Sequence, residues 1–226
     1  MNSSAGERIF TRSMSAHAPA LAAADAAANL LRNEILAGQH YSGEQLRETY
    51  ISTRLGLSRN TVREAYRKLE AEGLVIHIPN RGVYVAGFDL PRVKELYAFR
   101  RITECGTLRS LSKDEACRLA TNLTDTLSNT DNANIANRNN EFHLTIVAAS
   151  HSPELVTTAR SILAQLRLCF ISYPASLDIH LTFEERHKAI IDVLSKGDTA
   201  GAANLMRTYL HDSYDTLCRA MSSAGR

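Results

Sequence analysis

Apolar residues recur at three- and four-residue steps along most of this chain, and β-rich runs occur only around residues 74–85. Leu21, Ala24, Ala28, Leu31, Ile35 and Leu36 keep the helical period and Gly38 follows as a stop, which predicts a first helix over 21–37. Residues 1–19 are rich in Ser, Ala and Met without a period, and are expected to form a disordered tail. Ser42 to Leu46 reads as a turn into a second helix, roughly 48–55, with Ile51 and Leu55 facing inward and Tyr50 beside them. Ser58 is a good N-cap, so a third helix starts at Arg59 with Val62, Ala65, Tyr66 and Leu69 as its buried stripe and Gly73 at its end. Leu74-Val75-Ile76 and Val83-Tyr84-Val85 flank Pro79-Asn80-Arg81-Gly82, which predicts a two-stranded hairpin.

Beyond a connector at 87–90 the pattern is helical to the end. Helices are predicted from Pro91 to Ser110, from the Ser112–Glu115 capping box to Leu127, over 135–149, from the Ser152-Pro153 start to Ile171, over 183–196, and from the Asp198 cap to Met221. An Asn-rich loop at 128–134 and a loop holding Pro174 at 172–179 separate them. The fold class is therefore mainly α: a winged helix-turn-helix domain over 20–86, and an all-helical bundle of six to seven helices over 91–226.

Composition changes this picture little. The chain has 226 residues, 44% of them hydrophobic, enough for two ordinary small cores. With 26 basic and 24 acidic residues it carries no global field for nucleic acid. Charge is instead local: Arg54, Arg59, Arg63, Arg67 and Lys68 lie within one short stretch whose sole acid is Glu64, the footprint that phosphate binding needs. The cysteines, Cys105, Cys117, Cys169 and Cys218, make no C-x-x-C pair and read as small buried hydrophobes in a reducing cytoplasm. No run of eighteen apolar residues or secretory leader is seen, so the expectation is a cytoplasmic protein without a membrane span.

Leu46-Arg47-Glu48, Leu55 to Ala65, Leu69 to Val75 and Arg81-Gly82-Val83 resemble the DNA-binding domain of GntR-family bacterial transcription regulators. Leu96 to Arg100, Phe142-His143, Glu185 to Ile190 and Gly197-Asp198 resemble the helical FCD effector domain of the FadR-like branch. The resemblance implies a homodimer that binds an inverted-repeat operator on double-stranded DNA, with a small-molecule effector, expected to be a carboxylate, in the helical domain. It assigns DNA contacts to Arg47, Arg59 and Arg63, with Asn60 and Thr61 beside them and Gly82 at the wing tip. Arg59 and Arg63 would read bases, since a guanidinium grips two guanine acceptors at once; Arg47, Thr61 and Arg67 would hold phosphate. Ser58 and Arg81 complete the expected DNA set, and the alternative for Arg67 is a solvated helix position.

Many FCD domains hold a divalent cation on an acidic or amide residue and three histidines. Here Asn139 and His143 share one helix face with Phe142 and Ile146, and His187 shares another with Ile190, Ile191 and Leu194. The resemblance therefore implies one zinc or nickel ion per subunit on Asn139, His143 and His187. The last histidine is missing, because Tyr209 stands in its place and His211 lies about 200° further round the helix. Without metal, the two histidines would hydrogen-bond the effector or each other. Arg100 matches a family arginine and suits a carboxylate; a surface salt bridge with Glu104 is its alternative. Arg100, Asn139, His143, His187 and Tyr209 are thus the expected effector residues. His151, His180 and His211 read as surface or capping residues.

The leading expectation is an effector-controlled regulator, a repressor rather than an enzyme. Two alternatives are a metal-dependent enzyme domain tethered to a DNA-binding head and an architectural DNA binder without an effector. The sequence contains no H-E-x-x-H, nucleophile elbow or glycine-rich phosphate loop to favour the first.

Overall fold

The structure is a computed structural model that describes residues 5–128, 135–173 and 179–224. Two compact units divide it, residues 1–87 and 88–226. In the first, α1 (Ala5–Leu36) is followed by β1 (Gln45–Leu46), α2 (Glu48–Leu55), α3 (Arg59–Ala71), β2 (Val75–Ile78) and β3 (Gly82–Val85).

α1 begins well ahead of the expected Leu21, so helix replaces most of the expected tail. The added stretch carries no strong amphipathic pattern, and the alanine run that favours helix lies further on, at residues 22–28. Ala24, Ala27, Ala28, Leu31 and Ile35 face the core, whereas Leu21 is exposed. α2 and α3 lie where the periodicity predicts. Tyr50 departs from expectation: it points outward, with the Arg54 guanidinium 5.9 Å from its ring centroid.

The wing has a third strand that the sequence reading missed. β3 pairs antiparallel with both neighbours in the order β1-β3-β2, with Gln45 opposite Tyr84 and Val75 opposite Val85. Leu46 at the end of β1 is buried, and its carbonyl accepts the Tyr66 hydroxyl at 3.1 Å, tying the sheet to α3. At the hairpin tip Asn80 and Gly82 both have positive φ, 62° and 107°. Asn80 is among the few side-chain-bearing residues that accept such a φ, and a Cβ on Gly82 would come 3.1 Å from Gln45 Nε2.

The second unit consists, among the described residues, of α4 (Leu90–Ser110), α5 (Lys113–Ser128), α6 (Ile135–Ala148), α7 (Pro153–Ser172), α8 (Ile179–Ser195) and α9 (Thr199–Ala224). The caps at α5, α7 and α9 are those the sequence predicts, whereas Asp89 at α4, which starts at Leu90 rather than Pro91, was not foreseen. Asp89, Ser152 and Asp198 accept backbone amides at the starts of α4, α7 and α9. Ser112 and Glu115 form the reciprocal box at α5. α8 starts at Ile179 rather than at residue 183, and α9 runs past Met221 to Ala224. The Asn-rich loop and the Pro174 loop fall largely outside the described residues.

Val93, Leu96, Leu108, Leu123, Phe142, Ile146, Ile190, Leu194, Met206 and Leu217 form the continuous core. By length and composition α7 could cross a membrane, but Ala159 and the run from Ile162 to Cys169 are buried in the bundle. All the cysteines are free; Cys105 and Cys169 are buried as expected, and Cys117 and Cys218 are half-buried.

Candidate functional site

Ser58 starts α3 as its side chain accepts the Thr61 amide at 3.1 Å; its hydroxyl also meets that of Thr61 at 2.8 Å. Both residues are thus engaged in the cap that aims the helix. Arg59, Arg63 and Arg67 follow at four-residue steps, which sets them on one exposed stripe opposite the buried Val62, Ala65, Tyr66 and Leu69. Arg59 and Asn60 project into solvent at the helix N-terminus. Arg63 Nε donates to both carboxylate oxygens of Glu48, each at 2.9 Å, a partner that the sequence reading did not assign. Arg67 pairs with Glu64 on the solvated face, with 71% of its side chain exposed, as its alternative reading has it. Arg47 is the N-cap residue of α2 and is exposed. Arg81 lies at the wing tip, where its carbonyl accepts Gln45 Nε2 at 2.7 Å and the Tyr84 hydroxyl at 3.2 Å.

In the helical unit, α4, α6, α8 and α9 bring all five expected effector residues into one buried cluster. Arg100 Nε donates to Glu104 Oε1 at 2.7 Å, and the two side chains are 5% and 2% exposed, so this is not the surface pair that the sequence offered as an alternative. His143 Nδ1 donates to Glu104 Oε2 at 2.7 Å, which leaves the lone pair on Nε2 3.2 Å from the Tyr209 hydroxyl. That hydroxyl also donates to Asn139 Oδ1 at 2.8 Å, so one phenolic proton has two acceptors within reach. His187 stacks on Phe142 with ring centroids 3.9 Å apart and stands 5.3 Å from the His143 ring.

Electrostatics fixes the protonation states. Burial alone would raise the Glu104 carboxyl, but Arg100 and His143 beside it hold it down to about 2. Burial and the Arg100 charge lower His143 against the pull of Glu104, so it stays neutral. His187 is driven well below the usual imidazole range by burial, His143 and Arg100. Burial raises the Tyr209 phenol and keeps it protonated. Two nitrogens in this cluster, Arg100 Nη2 and His187 Nε2, are buried without a hydrogen-bond partner.

A divalent cation fits this donor set poorly. Among the described residues no group of three or more His, Cys, Asp or Glu side chains is placed to hold one. Both oxygens of Glu104 are occupied, and the phenol, a weak ligand while protonated, stands between Asn139 and His143. His211 lies outside the cluster, 3.5 Å from Asp215 and 69% exposed, as its rotation on the helix requires. His151 is also exposed, and the side chain of His180 is outside the described residues. The sequence reading missed Glu104 as the hub that joins Arg100 to His143; its four-residue spacing from Arg100 was the available signal. A separate cleft of about 440 Å³ opens between α4 and α9, lined by Lys94, Tyr97, Arg101, Arg207, His211 and Tyr214 and by none of the five cluster residues.

Residues 23–85 match the family described as bacterial regulatory proteins, gntR family, and residues 95–212 match the FCD domain. An uncharacterised HTH-type transcriptional regulator in an unstable DNA locus of Streptomyces ambofaciens is 27% identical over 199 residues, covering 84% of this chain and 82% of its own. The HTH-type transcriptional repressor GlaR of Escherichia coli K12 is 25% identical over 219 residues, with 85% and 94% covered. A crystal structure from Rhodococcus sp. RHA1 described as a transcriptional regulator GntR superposes with a TM-score of 0.75 at 28% identity, covering 86% of this chain and 97% of that one.

Proposed function

Because the chain belongs to the gntR family of bacterial transcription regulators, with an FCD domain behind its DNA-binding domain, we propose that it is a dimeric repressor released by a small carboxylate. The observation that carries the effector half is the pair of unpaired buried donors, Arg100 Nη2 and His187 Nε2, within one polar cluster. A buried polar group without a partner costs roughly 1–3 kcal/mol, so an anion that accepts from such groups is favoured over an empty site. A guanidinium is the side chain best shaped for a carboxylate. Neutral His187 can donate from Nε2 to the same ligand.

The DNA half rests on the exposed Arg59–Arg63 stripe at the start of α3 and on the wing beside it. A helix N-terminus in the major groove places both guanidinium groups against base edges, and a two-fold dimer reads two such half-sites in an inverted repeat. Ligand-dependent packing of the helical domain would shift the dimer away from the geometry that its operator fixes.

Thermal melting against a panel of small carboxylates and sugar acids tests the effector half. A true effector at about a hundred times its Kd should add roughly 2.7 kcal/mol of stability. The same compound should weaken operator binding, and Arg100→Gln should abolish both effects. A compound that stabilises the Arg100→Gln protein equally well would show that the cluster is not the site.

A further inference from the structure

We infer that the Tyr209 hydroxyl occupies the position a divalent cation would need in the buried cluster, so that this FCD domain works without a metal. The geometry is direct. The phenolic oxygen lies 2.8 Å from Asn139 Oδ1 and 3.2 Å from His143 Nε2, the two donors that a cation on this face would have to share. Zinc sits about 2.0–2.2 Å from nitrogen and oxygen ligands, so an ion bound to both donors would fall in the volume the hydroxyl fills.

The cluster also has no charge left with which to balance an ion. Its one carboxylate, Glu104, is held on one oxygen by Arg100 Nε at 2.7 Å and on the other by His143 Nδ1 at 2.7 Å. The remaining candidate ligands, Asn139, His143, His187 and Tyr209, are two imidazoles, an amide and a phenol. A dication on that set would stand uncompensated in a buried site beside the resident guanidinium of Arg100, which is itself only 4% exposed. Arg100 therefore supplies the positive charge that a metal would otherwise bring to the cluster.

The test is metal content, which is read without any effector and so is decided separately from the carboxylate reading. The full chain and two variants, Asn139→Asp and Asn139→Asp/Tyr209→His, are loaded with zinc or nickel, dialysed against metal-free buffer and analysed by mass spectrometry of the bound element. Both proteins that keep the tyrosine should retain less than about a tenth of an equivalent, and the double variant should retain about one. Chelator should leave the melting temperature of the unaltered chain unchanged. Near-stoichiometric metal in either tyrosine-bearing protein overturns the inference, as does a folded double variant that stays empty. If the double variant does not fold, the two tyrosine-bearing proteins decide the matter.

Discussion

Glu104 is buried between a guanidinium and an imidazole, and its titration couples the cluster to folding. In the unfolded chain it titrates near its ordinary 4.5, and in the folded chain near 2. Between those values the unfolded chain holds a proton that the folded chain does not, so stability falls as pH drops through that window. The loss is on the order of 3 kcal/mol. His143 and His187 act higher on the scale: both are lowered from 6.5 in the folded state, so acidification below that value already favours the unfolded chain. Urea melts across pH 7 to 3 should therefore show a progressive loss, and Glu104→Gln should flatten its lower part. An unchanged lower slope in that variant would remove Glu104 from this role. The Arg100–Glu104 spacing was visible in the sequence, but its burial was not, because α6, α8 and α9, distant along the chain, are what enclose it.

Elements with a strong period and side-chain caps were legible almost to the residue, as α3 and α5 show. β1 was not, because two residues carry no alternation and only pairing with β3 makes them a strand. The start of α1 was misjudged for a related reason: residues 5–19 carry no apolar period from which a helix could be read. Two substitutions test how the reading elements are held. Ser58→Ala removes the cap that accepts the Thr61 amide and should cost about 1 kcal/mol in chemical denaturation, with weaker operator binding. Gly82→Ala sets a side chain at φ 107° and a Cβ 3.1 Å from Gln45 Nε2, so it should destabilise the wing by about 1 kcal/mol or more. It should change operator affinity more than it changes the effector-induced melting shift.

For the whole molecule, the expected behaviour on DNA follows from where its charge lies rather than from its total, which is only +2. Binding should weaken steeply with salt, because exposed arginines replace counterions at phosphates. Arg59→Ala and Arg63→Ala should each cost about 1–3 kcal/mol on the operator, measured by titration of labelled DNA, with smaller losses on unrelated DNA. Equal losses on both DNAs would place these residues on the backbone instead of the bases. The Glu48 carboxylate that holds Arg63 Nε from both oxygens adds a consequence for genomic search. It is a tethered competitor, present at a fixed local concentration whatever DNA lies in front of α3. A random sequence that offers only scattered acceptors should leave Arg63 with its carboxylate, whereas a guanine edge at the right register should draw it away. If Arg63 reads a base, this competition should shorten residence on the vast excess of wrong sites, and Glu48→Ala should lengthen that residence in single-molecule tracking.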